Sequence, residues 1–170
     1  MYKGMCYVDM DGVTAGFEVK AYELFGPKWK FELGKPGWGA FAKYPSLFRD
    51  LPVLPGALDL MNTAINLYGL DNVSKLTALP KRAHETFTTA AEDKIYWARA
   101  ALHPHLKVSF GPFAKDKQFH CRGNKDVLID DMKINIDQWE AAGGVGIWHR
   151  GDMEETISKL IMVKHSEKDI

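Results

Sequence analysis

Residues 6–13 read CYVDMDGV, an apolar run that ends in two aspartates one residue apart, followed at once by a glycine. The run has the look of a core strand. Carboxylates at the tip of a buried strand are costly to take out of water unless something pairs with them. Gly12 lets the backbone turn sharply, so that Asp9 and Asp11 can face one pocket. The string therefore predicts a strand whose carboxyl end opens on a charged site.

Further strands are predicted at MCYVDM itself, VSKLTAL (73–79), LKVSF (106–110), DVLID (126–130) and GVGIW (144–148). Near-continuous apolar runs such as VLI and VGIW suit strands buried on both faces, as in a parallel sheet. Helix-like segments lie between them. PGALDLMNTAINLYGL opens at Pro55 and carries Leu58, Met61, Ile65 and Leu67 on a helical stripe; AAEDKIYWARAAL, NIDQWEAAG and DMEETISKLIMVKH follow the same pattern, with Gly143 and Gly144 stopping the NIDQWEAAG segment. Alternation of this kind predicts a doubly wound, Rossmann-like α/β domain with a parallel sheet. Ligands of such sheets bind in the crevice beyond the carboxyl ends of the strands.

Residues 14–54 break the rhythm. They are rich in Gly, Pro and aromatics, as in FGPKWKFELGKPGWGAF and YPSLFRDLPVLP. We read them as a small cap of short helices and loops inserted after the first strand, with 1–13 and 55–170 forming the core domain. A wide loop packed against the side of the sheet is the other reading. Trp38, Phe41 and Phe48 could stack on a planar substrate from this cap, or form its own small core.

Composition narrows the partners. Among 170 residues, 22 Lys+Arg balance 22 Asp+Glu, so no basic excess points to a surface that coats nucleic acid. No apolar segment approaches the roughly 20 residues of a membrane span, and no room is left for a signal peptide before the first strand. A cytoplasmic protein is expected. Cys6 and Cys121 make neither a metal-type pair nor a disulfide framework. A homodimer through the cap or an outer helix is compatible with the chain, but no feature selects it.

The strand tips collect chemistry. The first delivers Asp9 and Asp11, the second Thr77 followed by Lys81, and the fourth Asp130 and Asp131; FAKDKQF brings Lys115 and Lys117 after the third. Acids gathered without a cation repel one another. A hard divalent cation relieves that, and Mg²⁺ takes a few carboxylates together with water and substrate phosphate. An aspartate beside it can attack phosphorus, a second carboxylate can pass a proton to the leaving oxygen, and a hydroxyl and a lysine can hold the phosphate oxygens. An EF-hand loop counted from Asp9 would need Glu in its twelfth position, where Lys20 stands. Asp130 and Asp131 alone would read as a turn or helix cap.

The ordered strings YVDMDGV, LTALPK, a lysine and VLIDD resemble the motif set of the haloacid dehalogenase superfamily of phosphohydrolases, over nearly the whole chain. LPVLPGALDLMN, EDKIYWARAAL and LIDDMKINIDQWEAAGGVGIWH look closest to its 5'(3')-deoxyribonucleotidase group. The resemblance implies Asp9 as nucleophile and Asp11 as general acid/base, both also serving the metal. It implies phosphate binding by Thr77 and a third-motif lysine, and Mg²⁺ binding by Asp130 and Asp131, one directly and one through water. Lys117 fits that lysine, with Lys115 and Lys125 open. Lys81 and Lys94 match substrate-side positions, although Lys94 also reads as an exposed helix residue. The group's usual Ser after Thr77 is here Ala78, which leaves a backbone N–H in place of a hydroxyl. The implied reaction is Mg²⁺-dependent hydrolysis of a (deoxy)nucleoside monophosphate; another small phosphomonoester, or nucleotide binding without turnover, are the alternatives. The six histidines, His84, His103, His105, His120, His149 and His165, are read as bystanders.

Overall fold

The computed structural model describes residues 3–29, 38–80 and 87–166. Five strands form one sheet: β1 (Cys6–Val8), β2 (Val73–Thr77), β3 (Lys107–Phe110), β4 (Val127–Asp130) and β5 (Val145–Trp148). Their order is β3-β2-β1-β4-β5 and every pair is parallel. The described helices are α1 (Phe17–Phe25), α2 (Trp38–Phe41), α3 (Ala57–Tyr68), α4 (Ala90–Ala101), α5 (Lys133–Ala141) and α6 (Met153–Ser166). A 3-10 segment, Ala114–His120, joins β3 to β4. This is the doubly wound α/β architecture expected. The chain steps outward from β1 to β2 and β3, then crosses back to β4, so the order reverses between β1 and β4. A crevice opens at such a switch point, beyond the strand tips.

β1, β2 and β4 are buried along their whole length, as their sequences predict. GVGIW is not: β5 is an edge strand, and Trp148 is exposed at its tip. A second correction falls on α3. Its buried face is Ala57, Leu60, Met61, Ala64 and Tyr68, while Leu58 looks outward. The small alanines let the helix close on its neighbours, and that face wins over the larger residues of the predicted stripe.

Alternation along the strands splits the core in two. Cys6, Val8 and Val73 face a large cluster shared with α3, α4 and α6; Tyr7, Leu76 and Leu128 face a smaller one closed by Ile136 and Trp139 of α5. The insertion after β1 joins the large cluster through Ala15, Ala21, Phe41, Leu47, Phe48 and Leu51. Its two ends meet, with Gly16 N–H on Pro52 O at 2.8 Å and Leu54 N–H on Thr14 O at 2.9 Å. Trp97 of α4 fastens it further by donating Nε1–H to Leu51 O at 2.7 Å. Among the described residues, no helix is long and apolar enough to cross a membrane.

Candidate active site

Asp9 follows β1 directly, and its N–H still bonds Ile129 O of β4 at 2.9 Å, so sheet pairing carries the backbone up to the site. There the chain turns about Met10 O, which accepts from the N–H groups of Thr14 at 2.9 Å and Ala15 at 2.8 Å. Gly12 takes φ +82°, and a Cβ at that position would run into the Asp131 carboxylate. Glycine is therefore needed twice over, for the turn and for the close approach.

The Asp9 carboxylate is held on one side only. Its Oδ1 accepts from Met10 N–H at 2.7 Å and from Lys117 Nζ at 2.8 Å. Oδ2 takes no hydrogen bond among the described residues. Lys117, from the 3-10 segment, also reaches Asp130 Oδ2 at 2.7 Å. Asp130 closes β4; Met132 N–H binds its Oδ1 at 2.9 Å, and Asn135 Nδ2 lies 3.1 Å from both its oxygens. Burial works against the Lys117 charge, but Asp9 and Asp130 outweigh it and raise the ammonium above its ordinary value. Burial, then the Asp9 charge, pushes Asp130 up to about 6. Asp131 is exposed as a residue, yet its carboxylate turns back over Gly12. Burial of that group, with Asp9 and Asp130 beside it, raises it to about 7.

Asp9, Asp130 and Asp131 bring carboxylate oxygens within 4.8 Å of one another. The donors are hard oxygens, and one lysine cannot neutralise three acids. Mg²⁺, which suits a few carboxylates and leaves positions for water and phosphate, fits this set.

A second group sits beside the first. Asp11 Oδ2 accepts from Lys94 Nζ at 2.6 Å, and its Oδ1 is buried without a hydrogen-bond partner among the described residues. Lys94 also donates to Thr77 Oγ1 at 2.9 Å, at the tip of β2. Lys94 is 1 % exposed and lies 4.7 Å from the Phe48 ring centroid, which settles against the exposed-helix reading. Beneath both groups lies Lys75, which is fully buried. Burial lowers it to about 7 against the pull of Asp9 and Asp11.

A cleft of about 730 Å³ opens above these residues. Asp9, Asp11, Thr77, Ala78, Lys117 and Asp131 lie along it, Phe17 and Val19 wall it from the insertion, and Trp148, His149 and Arg150 wall it from the end of β5. Of the expected residues, Asp9, Asp11, Thr77, Lys94, Lys117, Asp130 and Asp131 come together; Lys115 and Lys125 are exposed and do not line the cleft. Lys81 and the Trp38 side chain lie outside the described residues. Phe41 and Phe48 do not line the cleft. They are 2 % and 1 % exposed in the core, where Phe17 meets them at ring centroids 5.4 and 6.3 Å apart, because apolar rings gain more from that cluster than from a wet rim. His149, read as a bystander, is buried at the cleft wall with Nδ1 2.8 Å from Thr156 Oγ1.

Several residues at or beneath the site were not foreseen, among them Lys75, Thr14, Asn135 and Trp148. The signal for Lys75 was its inward position between Val73 and Thr77. Asn135 stands in the first turn after the fourth strand, and Trp148 at a fifth strand tip.

No family model matches the chain, and no curated protein does. Among solved structures it is similar to a haloacid dehalogenase-like family hydrolase from Streptococcus pneumoniae, with TM-score 0.52 and 11% identity over 90% of both chains. The fold is that of a haloacid dehalogenase-like hydrolase. Weaker likenesses add nothing on their own: a hydrolase from Streptococcus pneumoniae TIGR4 (TM-score 0.48, 12% identity, 95% of this chain and 100% of that one) and the HAD domain of the effector protein Lem4 from Legionella pneumophila (TM-score 0.46, 13% identity, 99% of both). At these identities the likeness is one of fold, and the chemistry rests on the geometry of the site itself.

Proposed function

We propose that the chain is a Mg²⁺-dependent phosphomonoester hydrolase that works through a phosphorylated Asp9. The observation that carries this is the one-sided hold on Asp9. Oδ1 is fixed by Met10 N–H and Lys117, while Oδ2 is left as a nucleophile in the cleft. In the first step Oδ2 bonds to phosphorus, the ester P–O bond breaks, and Asp11 gives its proton to the leaving oxygen. In the second, a water loses its proton to Asp11 and attacks phosphorus; the acyl phosphate P–O bond breaks, releasing inorganic phosphate and restoring Asp9. Thr77, Lys94 and Lys117 are set to hold phosphate oxygens. Mg²⁺ held by Asp9, Asp130 and Asp131, when bound, supplies the positive charge that lets a phosphate dianion approach these acids.

For the leaving group we propose a (deoxy)nucleoside. The cleft volume lies within the range of small-molecule pockets, and aromatic residues stand on both walls, Phe17 and Trp148. Residues 14–54 would then act as the cap that selects it. The test is phosphate release from a panel of 5'- and 3'-nucleoside monophosphates and sugar phosphates, with Mg²⁺ and with EDTA. Expected is Mg²⁺-dependent release that favours nucleotides. Asp9→Asn should lower it by at least about 10³-fold with an unchanged circular dichroism spectrum. Release indifferent to metal, or a near-native Asp9→Asn, would defeat the mechanism. Faster release from sugar phosphates would move the substrate, and nucleotide binding without release would make the chain a binder.

A further inference from the structure

The geometry points to Lys75 as a positioning residue that aims the Asp9 nucleophile from within the sheet; this rests on the phosphomonoesterase reading above. Strand alternation puts Val73, Lys75 and Thr77 on one face of β2, with Val73 in the large core and Thr77 at the cleft. The position between them calls for an apolar side chain. A lysine there is fully buried, and a methionine of similar length would fill the space without a charge to desolvate. Packing therefore gives no reason for the amine; its hydrogen bonds do.

Lys75 Nζ donates to Asp9 O at 2.6 Å and to Thr14 Oγ1 at 2.7 Å. Thr14 Oγ1 lies 3.3 Å from both Asp9 O and Met10 O, so its hydroxyl can return a bond to the same turn. Asp9 C=O and Met10 N–H belong to one planar peptide unit and point in opposite directions. The carbonyl end is held by Lys75, and the N–H end binds Asp9 Oδ1 at 2.7 Å. If that peptide rotated, the carboxylate would lose one of the two donors that keep Oδ2 directed into the cleft. Lys75 thus acts on the nucleophile through Met10 N–H, without touching substrate.

The experiment compares wild type, Lys75→Met and Thr14→Val by steady-state kinetics on the best phosphomonoester of the panel, with thermal melts alongside. Lys75→Met should lose roughly 100-fold in kcat, the scale on which misplacing a reacting group is felt. Its KM should stay within about twofold, because phosphate contacts are untouched. Its melting temperature should change little, because the relief of a buried charge is offset by two acceptors left without their donor. Thr14→Val should lose roughly tenfold in kcat in the same pattern. A merely structural Lys75 would show the reverse, a lower melting temperature with native kcat in the folded protein, and that result overturns the inference. If Lys75→Met does not fold, native kcat in Thr14→Val overturns it instead. A wild type that releases no phosphate from any ester fails at an earlier stage and removes the reading and the inference together.

Discussion

Two lysine–aspartate pairs stand side by side at the strand tips and are built differently. Around Lys117 the side chains are enclosed and only Asp9 Oδ2, on the cleft side, is left without a donor among the described residues: the Lys117, Asp9 and Asp130 side chains are 3%, 9% and 0% exposed, and Asn135 and two backbone N–H groups bind the same acids. Around Lys94 the lysine is buried, but Asp11 is 33% exposed and keeps an oxygen that no donor satisfies among the described residues. A nucleophile needs a fixed aim, and many bonds give it that. A group that must give and take back a proton needs one firm hold and one free oxygen. The same ion pair can serve either task, and the number of additional bonds decides which.

The largest effect should come from opening the closed half. Lys117→Met leaves Asp9 and Asp130 buried without their shared cation. Breaking a buried pair in this way destabilises by roughly 3–5 kcal/mol, and kcat should fall by roughly 10³-fold. Lys94→Met unpairs only a partly exposed acid and a hydroxyl, so it should fall by roughly 10²-fold in kcat with a clearly smaller loss of stability. Urea unfolding of the metal-free variants and kinetics with saturating Mg²⁺ measure both. If Lys94→Met is the more damaging on both scales, the division into halves is wrong.

A smaller effect separates the halves by pH. Asp130 is raised to about 6 and Asp131 to about 7, chiefly by burial and by the Asp9 charge. A carboxyl raised on folding binds its proton more tightly in the folded chain. Its contribution is complete below the unfolded carboxylate range and is lost as pH rises through the folded values. The metal-free protein should therefore melt lower at about pH 8 than at about pH 5.5. Mg²⁺ needs both groups deprotonated, so its affinity should run the other way and tighten roughly tenfold over the same interval. Melting curves with and without Mg²⁺ at the two pH values give both signs. A Mg²⁺ affinity flat in pH would mean that Asp130 and Asp131 do not hold the metal.

These acids were legible because each sits on a strand tip, where position along the strand alone determines the edge of the sheet. CYVDMDG and VLIDD carry their own address. Lys117 was readable only as one lysine of several, since a 3-10 segment has no such address and its partners come from β1 and β4. Lys75 was hidden for another reason. Alternation turns it inward, but lysines are almost never fully buried unless paired, and its partners, Asp9 O and Thr14, belong to a turn seen only in three dimensions. Phe41 and Phe48 were left undecided for a different reason. An aromatic in a Gly- and Pro-rich insertion can face core or cleft, and the choice was made by the ring contacts of Phe17 and Phe25, not by local pattern.

The smallest predicted effect tests whether the rim stands apart from both halves. Trp148 is 38% exposed at the tip of β5, lines the cleft, and donates Nε1–H to Asp131 O at 2.9 Å, with the Arg150 guanidinium 5.7 Å from its ring centroid. One edge of the indole is thus anchored while the rest remains available to a planar leaving group. Stacking on an aromatic contributes about 1–3 kcal/mol per base, and a partly wet ring belongs at the low end. Trp148→Ala should raise KM for nucleoside monophosphates roughly 3–10-fold, leaving kcat and the KM of small sugar phosphates within about twofold. Phe41→Leu, in the core, should lower the melting temperature and leave KM alone. An equal fall in kcat for every ester in Trp148→Ala would carry a different meaning. The indole N–H would then matter more than its face, because releasing Asp131 O loosens the acid that turns back over Gly12, and Trp148 would belong to the closed half after all.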